Sequence, residues 1–221
     1  MGQLLEEHCL EGLPLLPLPD HVLLPHTLVP FHIHEDRFKE LAEHCVSGSR
    51  LLVVSGLKPG WEEDYLGSPE AWGIGCLAKV VNEERQRDGS LTLFVHGLAR
   101  VRVQDYSQLE PFRLANIEVL EDTSHAISEG EVAGDRLRTM LGELVRALGP
   151  AGKPMRKVLG AHDGLGALTH RTTAMLIPDP EARQRVLEAR CPLARAEVLT
   201  ERLGGLLLEL IGDKPRAGRD H

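Results

Sequence analysis

The sequence is short of aromatic side chains, with two Trp, two Tyr and four Phe in 221 residues. It has no unbroken apolar run of about 18 residues, which excludes a membrane-spanning helix and predicts no membrane partner. The first residues, Met1-Gly2-Gln3-Leu4-Leu5-Glu6-Glu7-His8, have neither the basic start nor the apolar stretch of a secretory signal. They also lack the Ser or Thr that a myristoylated Gly2 favours. Cysteine is sparse: Cys9, Cys45, Cys76 and Cys191 stand far apart in apolar or helical patterns, which reads as reduced, buried thiols in a cytoplasmic protein. Basic residues are scarce in the first half, where 10 Lys and Arg face 20 Asp and Glu over residues 1–123, against 15 and 13 over 124–221. A nucleic-acid-binding face needs a positive surface, so the acidic half argues against such a partner.

Catalytic signatures are missing as well. Gly149-Pro150-Ala151-Gly152-Lys153-Pro154 lacks the spacing of a phosphate-cradling loop and has Pro where Ser or Thr would hold magnesium. Gly73-Ile74-Gly75-Cys76-Leu77-Ala78 spells a dinucleotide fingerprint but runs into a hairpin strand instead of a helix. No Gly-x-Ser-x-Gly elbow occurs, and in His8-Cys9 and His44-Cys45 the side chains of adjacent residues aim apart. Cys-x-x-Cys and His-Glu-x-x-His spacings are absent too. One arrangement stays open. His32 and His34 sit at i, i+2 on an expected strand, so both rings share a face, and with His26, His44 or Glu35 they could hold zinc. A small metal- or ligand-binding enzyme on that rim is the alternative reading; otherwise no catalytic residue and no cofactor is expected.

What the chain does have is an ordered series of short elements. Leu13–Leu18 and Thr27–Ile33 read as strands separated by the turn signal Pro19-Asp20. Prolines at 17, 19, 25 and 30 remove ladder donors, so both strands are expected at sheet edges. Asp36 to Ser47 carries Phe38, Leu41, Ala42, Cys45 and Val46 at helical spacing, and Leu51-Leu52-Val53-Val54 reads as a strand buried on both faces. Residues 56–73 form a long irregular segment that gathers Trp61, Tyr65 and Trp72. Ile74–Arg85 and Ser90–His96 flank the hairpin turn Arg87-Asp88-Gly89, and Gly97–Val103 and Phe112–Leu120 are further strands. After Glu121-Asp122 the period becomes about 3.6. A stripe from Leu137 to Leu148, a Gly/Lys-rich connection, a helix over Leu165–Ile177, a helix capped by Asp179-Pro180 and a last helix from Pro192 to Ile211 follow. The expected division is a β-rich unit at 1–123 with a frayed leader over 1–12, a helical bundle at 124–213 and a disordered tail at 214–221.

These blocks resemble, in order, the amino-terminal substrate-binding domain of Lon proteases. The opening from Leu15 is similar to that family's Leu-Pro-Leu-Phe-Pro-Leu run. Pro30-Phe31-His32-Ile33-His34-Glu35-Asp36-Arg37-Phe38 is similar to its Pro-Leu-hydrophobic-Ile-Phe-Glu-x-Arg-Tyr block. Gly75-Cys76-Leu77-Ala78-Lys79-Val80, the Asp88-Gly89 hairpin, Gly97–Val103 and Pro111-Phe112-Arg113-Leu114-Ala115 follow in the family's order, and Arg183–Glu188 is similar to part of its carboxy-terminal bundle. The family usually has Gly where His26 stands and an aromatic where His34 stands. The resemblance implies an α+β fold: a PUA-like folded β-sheet pseudo-barrel with one helix, followed by a C-terminal helical bundle. It implies a non-enzymatic protein- or peptide-binding module that recognises unfolded or degron-bearing polypeptides, or docks to a protease or chaperone. The expected chain stops where Lon's nucleotide-driven motor and Ser–Lys protease would begin.

The candidate peptide-binding residues follow from that reading. Trp61, Tyr65 and Trp72 offer large, stiff contact area, unless the Trp rings fold inward and pin the segment to the sheet. The first strands' rim, with His26, Phe31, His32 and His34, offers an edge that an extended chain can pair with. The Leu stripe of the last helix suggests a third reading, a structural protein whose helix packs on a partner or a second copy.

Overall fold

The computed structural model describes residues 9–159 and 164–212. The chain forms two compact units, Met1–Glu121 with Ile177–Arg190, and Asp122–Leu176 with Cys191–His221. The first unit is built on strands β1 (Cys9–Leu18), β2 (Leu28–Ile33), β3 (Leu51–Gly56), β4 (Ile74–Arg85), β5 (Leu91–Gln108) and β6 (Arg113–Leu120). Five of them close into a ring in the order β5-β4-β3-β1-β6-β5, and β2 adds to the outside of β5. Closure depends on the length of β5: Leu91–His96 pairs with β2, whereas Arg100–Gln108 pairs with β6. Two strands were expected here, and Gly97 is the reason one forms. The register slips between Leu77 and Ala78 where β5 passes Gly97, a bulge that bends the strand without ending it. A Cβ on Gly97 would meet the Leu24 carbonyl oxygen at 2.4 Å. Only glycine lets the chain cross here, with His26 N donating to Gly97 O (2.8 Å) and Gly97 N to Thr27 O (2.9 Å).

The expected edge position of the first strand is wrong. β1 lies inside the sheet, paired antiparallel with β6 from Cys9 to Leu15 and parallel with β3 from Leu15 to Leu18. The two partners overlap at Leu15 alone. Pro14 therefore has no ladder neighbour on its β3 flank and Pro17 none on its β6 flank, so a strand with two prolines is accommodated in the sheet interior. Cys9–Gly12, expected to fray, belong to this strand. β2 is an edge strand, and it carries Pro30.

Two clusters fill the unit. Leu13, Leu15, Leu51, Val53, Leu77, Val101, Ala115 and Ile117 come from all five ring strands and pack together. The alternate residues, such as Leu16, Leu52, Val54, Ala78 and Leu93, pack with α1 (Asp36–Ser47) through Phe38, Leu41, Ala42 and Cys45, and with Phe31 and Ile33 of β2. β3 is buried at every residue, as its unbroken apolar run predicts. Cys45 and Cys76 are buried, but Cys9 is exposed, against the expectation for all four thiols. Burial pushes the Cys45 and Cys76 thiols up to about 11 and about 12, which leaves them inert as nucleophiles.

Helix α5 (Pro180–Glu188) groups with the strands, not with the helices on either side of it in sequence. Asp179 caps it as expected, accepting from Ala182 N at 2.7 Å. Gln184 Nε2 donates to Ile74 O (2.9 Å), and Arg100, only 2% exposed, donates to the carbonyls of Leu187 (3.2 Å) and Ala189 (3.3 Å). Buried polar groups of the sheet thus find their partners in α5.

The second unit contains α2 (Ile127–Leu148), α3 (Arg156–Leu159), α4 (Leu165–Leu176) and α6 (Pro192–Gly212), with a 3-10 segment at Gly149–Met155 where an open connection was expected. α2 packs on α6, and Leu137, Leu141, Leu144, Ala196, Leu199 and Leu203 are buried. The stripe of α6 is thus core at Ala196, Leu199 and Leu203 and half-buried at Leu206, Leu207 and Leu210. Arg195 has a fully buried side chain paired with Asp122 and with His170 Nε2. Among the described residues no helix is long and apolar enough to cross a membrane. Residues 214–221, expected as a tail, lie outside the described residues.

Candidate functional site

The irregular segment between β3 and β4 is tied at its base like a hairpin. Leu57 bridges Ala71, Lys58 N donates to Glu70 O (2.8 Å), Trp72 N to Gly56 O (2.9 Å) and Ser55 Oγ to Trp72 O (2.7 Å). Two arginines hold its tip. Arg37, in the first turn of α1, pairs with Glu35 (3.0 Å) and donates to the carbonyls of Tyr65 (3.0 Å) and Gly67 (3.4 Å). Its guanidinium also lies over the rings of Phe38 (4.6 Å) and Tyr65 (5.1 Å). The Tyr65 hydroxyl donates to Glu35; burial, and then that carboxylate, push the phenol's pKa upward. Arg113 of β6 donates to Pro69 O (2.7 Å). Carbonyls of the segment without a strand partner are satisfied in this way, so its shape is set.

Two clefts adjoin it. One, of about 440 Å³, is lined by residues 65–69, by the turn 109–113 and by Leu15, Pro17, Phe38 and Leu57. Leu66, 89% exposed, and Leu109, 54% exposed, belong to its walls on separate loops. The other, of about 280 Å³, follows the chain from Val29 in β2 to Glu35 beyond it and shares Phe38 and Tyr65 with the first.

The sequence-derived residues fall into three groups. Trp61, Tyr65 and Trp72 share one segment and are all half-buried. Trp61 opens a 3-10 turn (Trp61–Asp64) and meets Tyr65 edge-on at 5.4 Å. Trp72 lies beside Gly56, with the Lys58 ammonium 5.8 Å from its ring. The rings therefore pin the segment in part and remain accessible in part. His32 on β2 and His34 just past its end are both exposed, and His32 Nδ1 bonds the Thr92 hydroxyl (3.0 Å). Phe31, expected at the rim, is core: it is 8% exposed and edge-on to His21 at 5.2 Å. His26 is exposed and lines neither cleft; its φ of +63° lies in the left-handed region that favours glycine. Among the described residues no three His, Cys, Asp or Glu side chains come together to hold a metal ion. Sequence reading missed Arg37, Arg113, Leu66 and Leu109. The two leucines had a signal, as apolar residues in polar, turn-rich stretches; the arginines had none.

A sequence profile of the ATP-dependent protease La (LON) substrate-binding domain matches residues 12–204. The chain belongs to that family. The Lon protease of Desulfosudis oleivorans is 24% identical over 205 residues, 92% of this chain and 25% of that protein. The Lon protease of Desulfovibrio desulfuricans is 27% identical over 194 residues, 87% of this chain and 22% of that protein. The chain thus spans about a quarter of the length of these curated relatives. The N-terminal domain of Mycobacterium avium complex Lon protease superposes with a TM-score of 0.65 at 18% identity, over 87% of this chain and 98% of that one. A Lon N-terminal domain protein from Xanthomonas campestris gives 0.61 at 22% identity, over 86% and 97%. The α+β architecture is that of a Lon substrate-binding domain, and the profile runs through both units, so the helices belong to the Lon domain as much as the strands do.

Proposed function

We propose that this Lon-type domain is a non-enzymatic module that binds unfolded or degron-bearing stretches of polypeptide, or docks through the same surface onto a protease or chaperone. The cleft of about 440 Å³ carries the reading, with Leu66 and Leu109 held 89% and 54% exposed beside it. Contiguous exposed apolar surface is stabilised by covering it, and an extended chain offers apolar side chains to do so. Arg37 and Arg113 preset the wall, which lowers the ordering cost of binding. Trp61, Tyr65, Trp72, His32 and His34 are the accompanying contacts, and the open edge of β2 adds main-chain pairing that Pro30 limits. A cytoplasmic location goes with this reading. It is tested by fluorescence anisotropy with denatured proteins and labelled unstructured peptides. The native protein is expected to bind them in preference to folded proteins, and the double variant Leu66→Asp/Leu109→Asp is expected to bind more than tenfold more weakly, since burying even one leucine is worth roughly 1.5–3 kcal/mol. Absence of measurable binding to every denatured protein and peptide sinks the reading.

A further inference from the structure

A third cavity, of about 220 Å³, lies where Gly56, Leu57, residues 59–62 and Trp72 meet residues 20–22 and the start of α5. Its walls carry the indoles of Trp61 and Trp72 and the carboxylates of Asp20, Glu62, Asp179 and Glu181, with no Lys or Arg. Asp20 and Glu62 form no ion pair among the described residues. Glu181 has one distant partner, Arg185 at 3.9 Å, and Asp179 accepts from the Ala182 amide. The buried Nε2 of His21, another wall residue, has no hydrogen-bond partner among the described residues. Indole faces attract cations, and carboxylates at the rim strengthen the attraction. Lys58 already places its ammonium 5.8 Å from the Trp72 ring, so the protein's own side chains use the same chemistry at this rim.

We infer that this cavity takes a lysine or arginine side chain of the bound polypeptide, with the indoles against its stem and charge and with Asp20 and Glu62 as its ion-pair partners. The inference rests on the polypeptide-binding reading and adds a preference for basic positions to it. The acidic balance of residues 1–123 favours approach of the same kind of segment.

The test uses two unstructured, fluorescently labelled peptides with identical apolar residues, differing by Lys against Gln at one central position. Anisotropy titrations should give about tenfold tighter binding for the Lys peptide at low salt, with the advantage shrinking at high salt. The near-isosteric pair Asp20→Asn/Glu62→Gln, at exposed positions, should reduce the advantage to about twofold or less, and Trp61→Ala should reduce it independently. Circular dichroism verifies that each variant is folded. Equal affinity for the two peptides overturns the inference and leaves the polypeptide-binding reading standing. Binding of neither peptide removes both. A Lys advantage untouched by the carboxylate pair and by Trp61→Ala seats the cation elsewhere and overturns the inference as well.

Discussion

His21 lies edge-on to Phe31 with its pKa held down at about 4, by burial first and by the neighbouring Arg183 guanidinium second. The folded protein keeps this ring neutral, whereas in the unfolded chain it takes up a proton near pH 6.5. The neutral ring's contribution is complete above about pH 6.5 and is lost as pH falls towards 4, with a limit of about 3 kcal/mol. Urea titrations between pH 7.5 and 4.5 should show the midpoint dropping over that interval, and His21→Leu should flatten the drop. An unchanged slope in the variant assigns the loss to other groups. Gly97 is a second single-residue test. Gly97→Ala sets a Cβ against the Leu24 carbonyl and should destabilise the protein by roughly 1–3 kcal/mol, read as a lower melting temperature.

The segment between β3 and β4 depends on Arg37, whose guanidinium serves Glu35, Tyr65 and Gly67 together. Arg37→Met removes these bonds together with the guanidinium's contacts to the Phe38 and Tyr65 rings. Amide exchange over residues 57–72 should accelerate at least tenfold while protection in β3 and β4 stays within about twofold; equal acceleration in the strands would show that the arginine supports the whole unit instead. Elements that depend on neighbours in sequence were readable beforehand. α1 followed from its apolar spacing, the hairpin from Asp88-Gly89, and the start of α5 from Asp179-Pro180. The place of β1 in the sheet was not readable, because proline content does not say that two partners will share a strand end to end. The continuity of β5 was hidden for a similar reason: Gly97 reads as a break until the chain crossing above it is seen.

The whole chain combines a ring of strands with a separate set of helices, and the helical unit has its own polar centre. Arg195 is fully buried against Asp122 and His170. Arg195→Met removes the buried guanidinium's bonds to Asp122 and His170 and should destabilise the helical unit by roughly 1–3 kcal/mol. Both tryptophans lie in the first unit, so their fluorescence follows the strands while far-ultraviolet dichroism follows mainly the helices. The variant should lower the dichroism transition by more than the fluorescence transition; matching shifts would mean that the chain unfolds as one cooperative body.

Periodicity, turn chemistry and the order of motifs along the chain were sufficient for the α+β class, for the Lon substrate-binding family and for the gathering of Trp61, Tyr65 and Trp72, since each rests on residues close in sequence. Folding in three dimensions decided which residues flank them. Leu66 shares a cleft with the 109–113 turn, Arg113 reaches Pro69, and α5 joins the strands through Gln184 and Ile74, 110 residues apart. Such pairings are selected by the burial of polar and apolar groups across the finished sheet, and that selection leaves no local pattern to read.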